Sequence, residues 1–139
     1  MLLGEISLVN LRTRGIIGYK PDERVNSQDI RINATIYADI EDIALNDSLV
    51  AGVNYRTLAK KLLQTAETAN VCSLERLAYL LLLDCFSVSE RVARAKLTVE
   101  KLGAIRYAES ASVSLSIDRK DVPVGRQHRP VRPGVEFPR

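Results

Sequence analysis

Residues 28–40, QDIRINATIYADI, alternate without a slip. Ile30, Ile32, Ala34, Ile36, Ala38 and Ile40 fall on one side. Arg31, Asn33, Thr35, Tyr37 and Asp39 fall on the other. A period of two with one apolar face is the mark of a half-buried strand. Downstream, RVARAKLTVEK (residues 91–101) places Ala93, Ala95, Leu97 and Val99 in phase. ESASVSLSIDR (residues 109–119) sets Ala111, Val113, Leu115 and Ile117 against Ser110, Ser112, Ser114 and Ser116. Upstream, GEISLVNLRTR (residues 4–14) alternates less well, and a bulge near Val9 and Asn10 would account for the slip.

Between the second and third strands the period changes to that of a helix. Asn54 is a good N-cap for a helix over 55–70, with Leu58, Leu62, Ala66 and Ala69 as its apolar stripe. Ser73 caps a second helix over 74–88, whose middle is apolar almost all round. Such a helix needs cover on most sides, from the sheet and from another subunit. The order ββααββ predicts an α+β domain, an antiparallel sheet with both helices on one face.

A chain of 139 residues has room for one core. The predicted domain spans residues 1–119. Residues 120–139 form a tail holding four of the five prolines, which reads as an extended arm or linker because proline removes ladder donors. The formal charge of +3 belongs to that tail, where five basic residues face Asp121 and Glu136, and the body is neutral. The pI therefore says little about what the body binds. Neither a targeting signal nor an apolar run long enough for a bilayer is expected, which predicts a cytoplasmic protein without a membrane partner. Cys72 and Cys85 complete no metal pattern and read as buried free thiols.

Two residues stand out chemically. Lys101 keeps the phase of Leu97 and Val99 and so points toward the apolar face. Burial disfavours an ammonium, which is how a lysine becomes a proton shuttle near neutral pH. The same pattern also allows the strand to end at Glu100 and the lysine to reach solvent. Glu75 lies in the first turn of the second helix, where free N–H groups and the helix dipole favour a carboxylate. Fixed there, it either complements the dipole or accepts from a ligand with two parallel donors, such as the 2-amino/N3–H edge of a pterin or guanine. His128 is the only histidine and lies in the tail, which argues against a histidine-held zinc or a Ser/His/Asp triad in the body. No glycine-rich phosphate loop is present, and aromatic residues are not interleaved with basic ones as a nucleic-acid surface requires.

Four blocks, GYKPDERVNSQDIRINATI, VNYRTL, CSLERLA and LTVEKLGAIRYAESASVSLS, resemble in order and spacing those of the dihydroneopterin aldolase and dihydroneopterin triphosphate 2′-epimerase family, over residues 4–119. The resemblance implies the tunnelling fold, with sheets of neighbouring protomers joined into a barrel, typically a homo-octamer of two stacked rings. It implies a pterin substrate, no metal or organic cofactor, and active sites between protomers. By the same resemblance Glu75, with the backbone near Leu74, anchors the pterin. Lys101 moves protons through an ordered water, and Glu23, five positions after Gly18, positions that water or the side-chain hydroxyls. Tyr55 comes from the neighbouring protomer to protonate the intermediate.

The main reading is an aldolase of folate biosynthesis with 2′-epimerase capability. A 2′-epimerase of the triphosphate is the alternative, since Leu102 replaces the proline that commonly follows the lysine in aldolases. Arg24, Arg56 and Arg106 are its candidate phosphate cations. A third reading is a non-catalytic pterin-binding or assembly module.

Overall fold

The computed structural model describes residues 1–123. Strands β1 (Leu3–Gly15), β2 (Gln28–Asp39), β3 (Val92–Leu102) and β4 (Ser110–Asp118) form one antiparallel sheet in chain order. Helices α3 (Tyr55–Thr68) and α4 (Leu74–Ser87) pack on one face. Two short helices were not foreseen, α1 (Pro21–Val25) and α2 (Glu41–Asn46), together with single 3₁₀ turns at Leu49–Ala51 and Arg119–Asp121.

The core forms where the alternation placed it. Ile30, Ile32, Ala34, Ile36 and Ala38 of β2 and Ala95, Leu97 and Val99 of β3 are buried under Leu58, Leu62 and Ala66 of α3 and Leu77, Ala78, Leu81 and Cys85 of α4. Each large aliphatic side chain so buried contributes about 1.5–3 kcal/mol. Ile40 ends the phase differently, standing half-buried as the N-cap of α2. Both caps form as expected. Asn54 Oδ1 accepts from the backbone N–H of Arg56 (3.0 Å) and Thr57 (3.2 Å), and Ser73 Oγ accepts from that of Arg76 (3.1 Å).

The bulge in β1 falls where the pattern slipped. The register jumps between Leu8 and Leu11, and Asn10 takes a left-handed φ of 55°. A second bulge corrects the reading of β3. Tyr37 pairs with Arg94 and Ala38 with Val92, so Ala93 is the extra residue. Val92 takes the core position and Ala93 is exposed, contrary to the expected phase. Cys72 is half-buried rather than buried, while burial pushes the Cys85 thiol up to about 12.

Helices α3 and α4 run antiparallel, fastened by Thr65 Oγ1 donating to Asp84 Oδ2 (2.5 Å) and Lys61 Nζ to Ser87 Oγ (2.9 Å). Arg119 closes the far end of α4, donating to the carbonyls of Val92 (2.7 Å), Phe86 (2.9 Å) and Ser89 (2.5 Å). Among the described residues no helix is long and apolar enough to cross a membrane. Most of the predicted tail lies outside the described residues.

Candidate active site

Lys101 stays in the ladder, paired with Ile30 on one side and Ala111 on the other. Its side chain therefore emerges on the helix-covered face, the first of the two orientations its phase allowed. Its Nζ donates to Glu23 Oε2 at 2.6 Å, and the two side chains are only 15% and 20% exposed. The carboxylate supplies a countercharge where water is scarce, which is what a half-buried ammonium needs.

Glu23 reaches this point because of a local arrangement around Gly18. Pro21 starts the single-turn helix α1, which carries Glu23 back over Gly18. A Cβ on Gly18 would stand 2.5 and 2.6 Å from the Glu23 oxygens, and φ at Gly18 is +126°, outside the usual range of L side chains. Glycine is therefore required here on two counts.

The same segment is tied to the α3–α4 connection. Ile17 makes a parallel bridge with Val71, and the Gly18 N–H donates to the Val71 carbonyl (3.0 Å). Arg24 spreads its guanidinium over the carbonyls of Gly18 (3.2 Å), Val71 (3.1 Å) and Asn70 (3.0 Å). This clamp sets the Lys101–Glu23 pair beside the chain that enters α4, where Ser73 is the cap, Leu74 is half-buried and Glu75 is exposed in the first turn. It also corrects the assignment of Arg24 as a phosphate cation, because its donors are directed to three backbone carbonyls.

Tyr55 is elsewhere. It is the first residue of α3 and 53% exposed, whereas the C-terminal end of that helix leads into Asn70 and Val71. Fourteen helical residues separate the two ends by about 20 Å. One protomer thus brings Lys101, Glu23 and the Leu74–Glu75 turn to one end and leaves Tyr55 at the other.

One element beside the site was not read from sequence. Arg31 donates to both oxygens of Glu100 (2.6 and 2.9 Å), and Ser110 Oγ donates to the same carboxylate (2.9 Å). The Arg31 hydrogen bond, with help from Ser110, holds the Glu100 carboxyl below its usual range. This clasp joins β2, β3 and β4 one residue before Lys101, on the opposite face. Its signal was a pair of opposite charges on facing strands, visible only once the register is known.

The structure thus combines a meander sheet backed by an antiparallel helix pair with a half-buried lysine–carboxylate couple beside a helix N-terminus. The dihydroneopterin aldolase (FolB) family model matches residues 6–118. The dihydroneopterin triphosphate 2′-epimerase of Escherichia coli K12 is 37% identical over 114 residues, covering 82% of this chain and 94% of that protein. Escherichia coli dihydroneopterin aldolase in complex with neopterin superposes with a TM-score of 0.77 at 18% identity, over 82% of this chain and 98% of that one. Dihydroneopterin aldolase from Burkholderia thailendensis bound to guanine gives 0.72 at 16%, over 84% and 92%. The chain belongs to the dihydroneopterin aldolase family, a family of enzymes.

Proposed function

We propose that this enzyme breaks and remakes the C1′–C2′ bond of a dihydroneopterin-type pterin, as an aldolase with 2′-epimerase capability. The Lys101–Glu23 pair beside the Glu75 turn carries the reading, in a chain of this family. Glu75 is the anchor: an acceptor at a helix N-terminus suits the adjacent donors that neopterin and guanine, ligands of two structural neighbours, have in common. Leu74 contributes its backbone alongside.

The substrate's N5=C6 bond accepts electrons, so cleavage needs no Schiff base. Lys101, acting as the neutral amine and through a water held with Glu23, takes the proton of the 2′-hydroxyl as the C1′–C2′ pair moves onto the pterin. An aldehyde leaves and an enamine stays. Protonation of that enamine by Tyr55 of a neighbouring protomer gives 6-hydroxymethyl-7,8-dihydropterin and glycolaldehyde. Re-addition to the other face of the aldehyde gives the 2′-epimer instead. No step calls for a metal or organic cofactor.

A second reading, 2′-epimerisation of the triphosphate, is favoured by the 37% identical relative of that name. In either case the two different sheet edges, β1 and β4, are suited to pairing between copies, which supports a ring or barrel and the octamer implied by the family. A cytoplasmic location fits a small-molecule enzyme of this kind. Assay of product from dihydroneopterin and from its triphosphate, side by side, tests the reading. The absence of both cleavage and epimerisation with either substrate would refute it and leave a non-catalytic module.

A further inference from the structure

We infer that Arg106 and Lys20 form a subsite for a phosphorylated substrate side chain; this rests on the pterin reading above and deepens it. The ion pair between Lys101 and Glu23 joins two segments of chain, and each brings one cation. Lys20 is the N-cap of α1, three residues before Glu23. Arg106 lies in the hairpin between β3 and β4, five residues after Lys101, a span of at most about 17 Å even if fully extended. The hairpin is folded back, with the Gly103 N–H donating to the Glu109 carbonyl (3.4 Å) and the Ala108 N–H to that of Ile105 (3.2 Å), so the real separation is shorter.

Three described arginines at this end, Arg24, Arg31 and Arg14, have their charge directed elsewhere, and Arg76 lies over the ring of Tyr79 at 6.0 Å. Arg24 is held by three carbonyls, Arg31 by Glu100, and Arg14 by Asp29 at 2.7 Å. Arg12 sits opposite Arg31, on the face away from Lys101. Arg106 instead lies over the ring of Tyr107, 5.4 Å from its centroid, and Tyr107 is itself 88% exposed. Stacking occupies the flat of a guanidinium and leaves its edge donors directed outward, in the fork that matches phosphate oxygens. The result is a positive rim, from two separate segments, around a neutralised proton-handling pair. A polyanion attached to the pterin side chain is the ligand such a rim favours.

The experiment compares kcat/KM for dihydroneopterin triphosphate and for dihydroneopterin in the wild type, Arg106→Ala, Arg106→Lys, Lys20→Ala and Arg56→Ala, with thermal melts to verify folding. The expected result is a fall of at least about tenfold in the triphosphate-to-neutral ratio in Arg106→Ala, the size of losing one charge-assisted contact. Arg106→Lys recovers part of it, and Lys20→Ala shows a smaller fall. Added salt should lower the wild-type ratio and move that of Arg106→Ala less. A folded Arg106→Ala enzyme with an unchanged ratio overturns the inference. So does a fall confined to Arg56→Ala, which places the phosphates at the end that carries Tyr55. A wild type active on dihydroneopterin alone overturns the subsite and leaves the aldolase intact, whereas inactivity on both substrates removes the parent reading as well.

Discussion

Lys101 Nζ sits 2.6 Å from Glu23 Oε2, joining two residues 78 positions apart at the end of a strand that is otherwise apolar on that face. No other lysine–carboxylate pair is present among the described residues, and neither partner is more than one-fifth exposed. Lys101→Ala should therefore lower kcat by ~10²-fold or more, the usual scale of general acid–base effects, while pterin binding changes far less. Single-turnover kinetics with a parallel binding titration checks this. A kcat near wild type would remove the lysine from the chemistry.

Gly18→Ala should damage the site without touching either charged residue. The new methyl meets the Glu23 carboxyl, and the backbone must hold a conformation that L residues rarely adopt. A stability cost of about 1–3 kcal/mol is expected in urea melts. A loss in kcat approaching that of Glu23→Ala should accompany it. A folded variant with wild-type kcat would show that the position of Glu23 is not critical.

Glu75→Gln should weaken pterin binding by roughly 1.5–3 kcal/mol, because an amide turns a donor toward the ligand's donors. Calorimetry with neopterin measures it. Undiminished affinity in a folded variant would place the anchor elsewhere.

Asp84→Asn tests the helix pair away from the site. Burial raises the Asp84 carboxyl above its ordinary value, and the hydrogen bond from Thr65 offsets only part of this. The folded chain therefore holds that proton more tightly than the unfolded chain does. Ionisation at Asp84 costs stability above the folded pKa, and the cost fades as pH falls through it and disappears below the unfolded value. Asparagine keeps an acceptor for Thr65 and carries no charge. The variant should melt higher than wild type at pH 8, with the advantage shrinking toward pH 4. A lower melting temperature at pH 8 would contradict this balance.

Tyr55→Phe and Lys101→Ala should each be impaired as pure oligomers, and mixed oligomers of the two should recover part of the activity. Recovery follows if a complete site takes Tyr55 from one copy and Lys101 from another, an arrangement in keeping with their placement at opposite ends of one protomer. A monomer at micromolar concentration, or no recovery in verified mixtures, would rule out the shared site.

The sheet was legible because its strands alternate cleanly, and the bulge at Asn10 was legible because it broke that alternation. The bulge at Ala93 was not. Val92 and Ala93 are both apolar, so a slip between them leaves no mark in the pattern. Helices α1 and α2 are too short to establish a period. Phase set the face of Lys101 but could not name its partner, since no local rule links a strand residue to an acid 78 positions away. Arg24 illustrates the same limit: on a short polar segment it reads as a candidate phosphate cation, and only the fold reveals the three carbonyls around it.

The extra residue at Ala93 has a consequence for how the chain tolerates change in length. Beyond it, from Arg94 to Lys101, the pairing with β2 runs unbroken and is fastened by Arg31 and Glu100. Before it lies only the short connection from α4, secured by Arg119. A gain or loss of one residue at the start of β3 is thus absorbed where the strand already departs from regular pleating. Removing Ala93 would restore simple alternation, leaving Val92 opposite Ala38 on the core side and the orientation of Lys101 preserved. The reactive end of the strand is thereby insulated from insertions and deletions at its entry, leaving the connection after α4 free to drift in length while the chemistry stays in register.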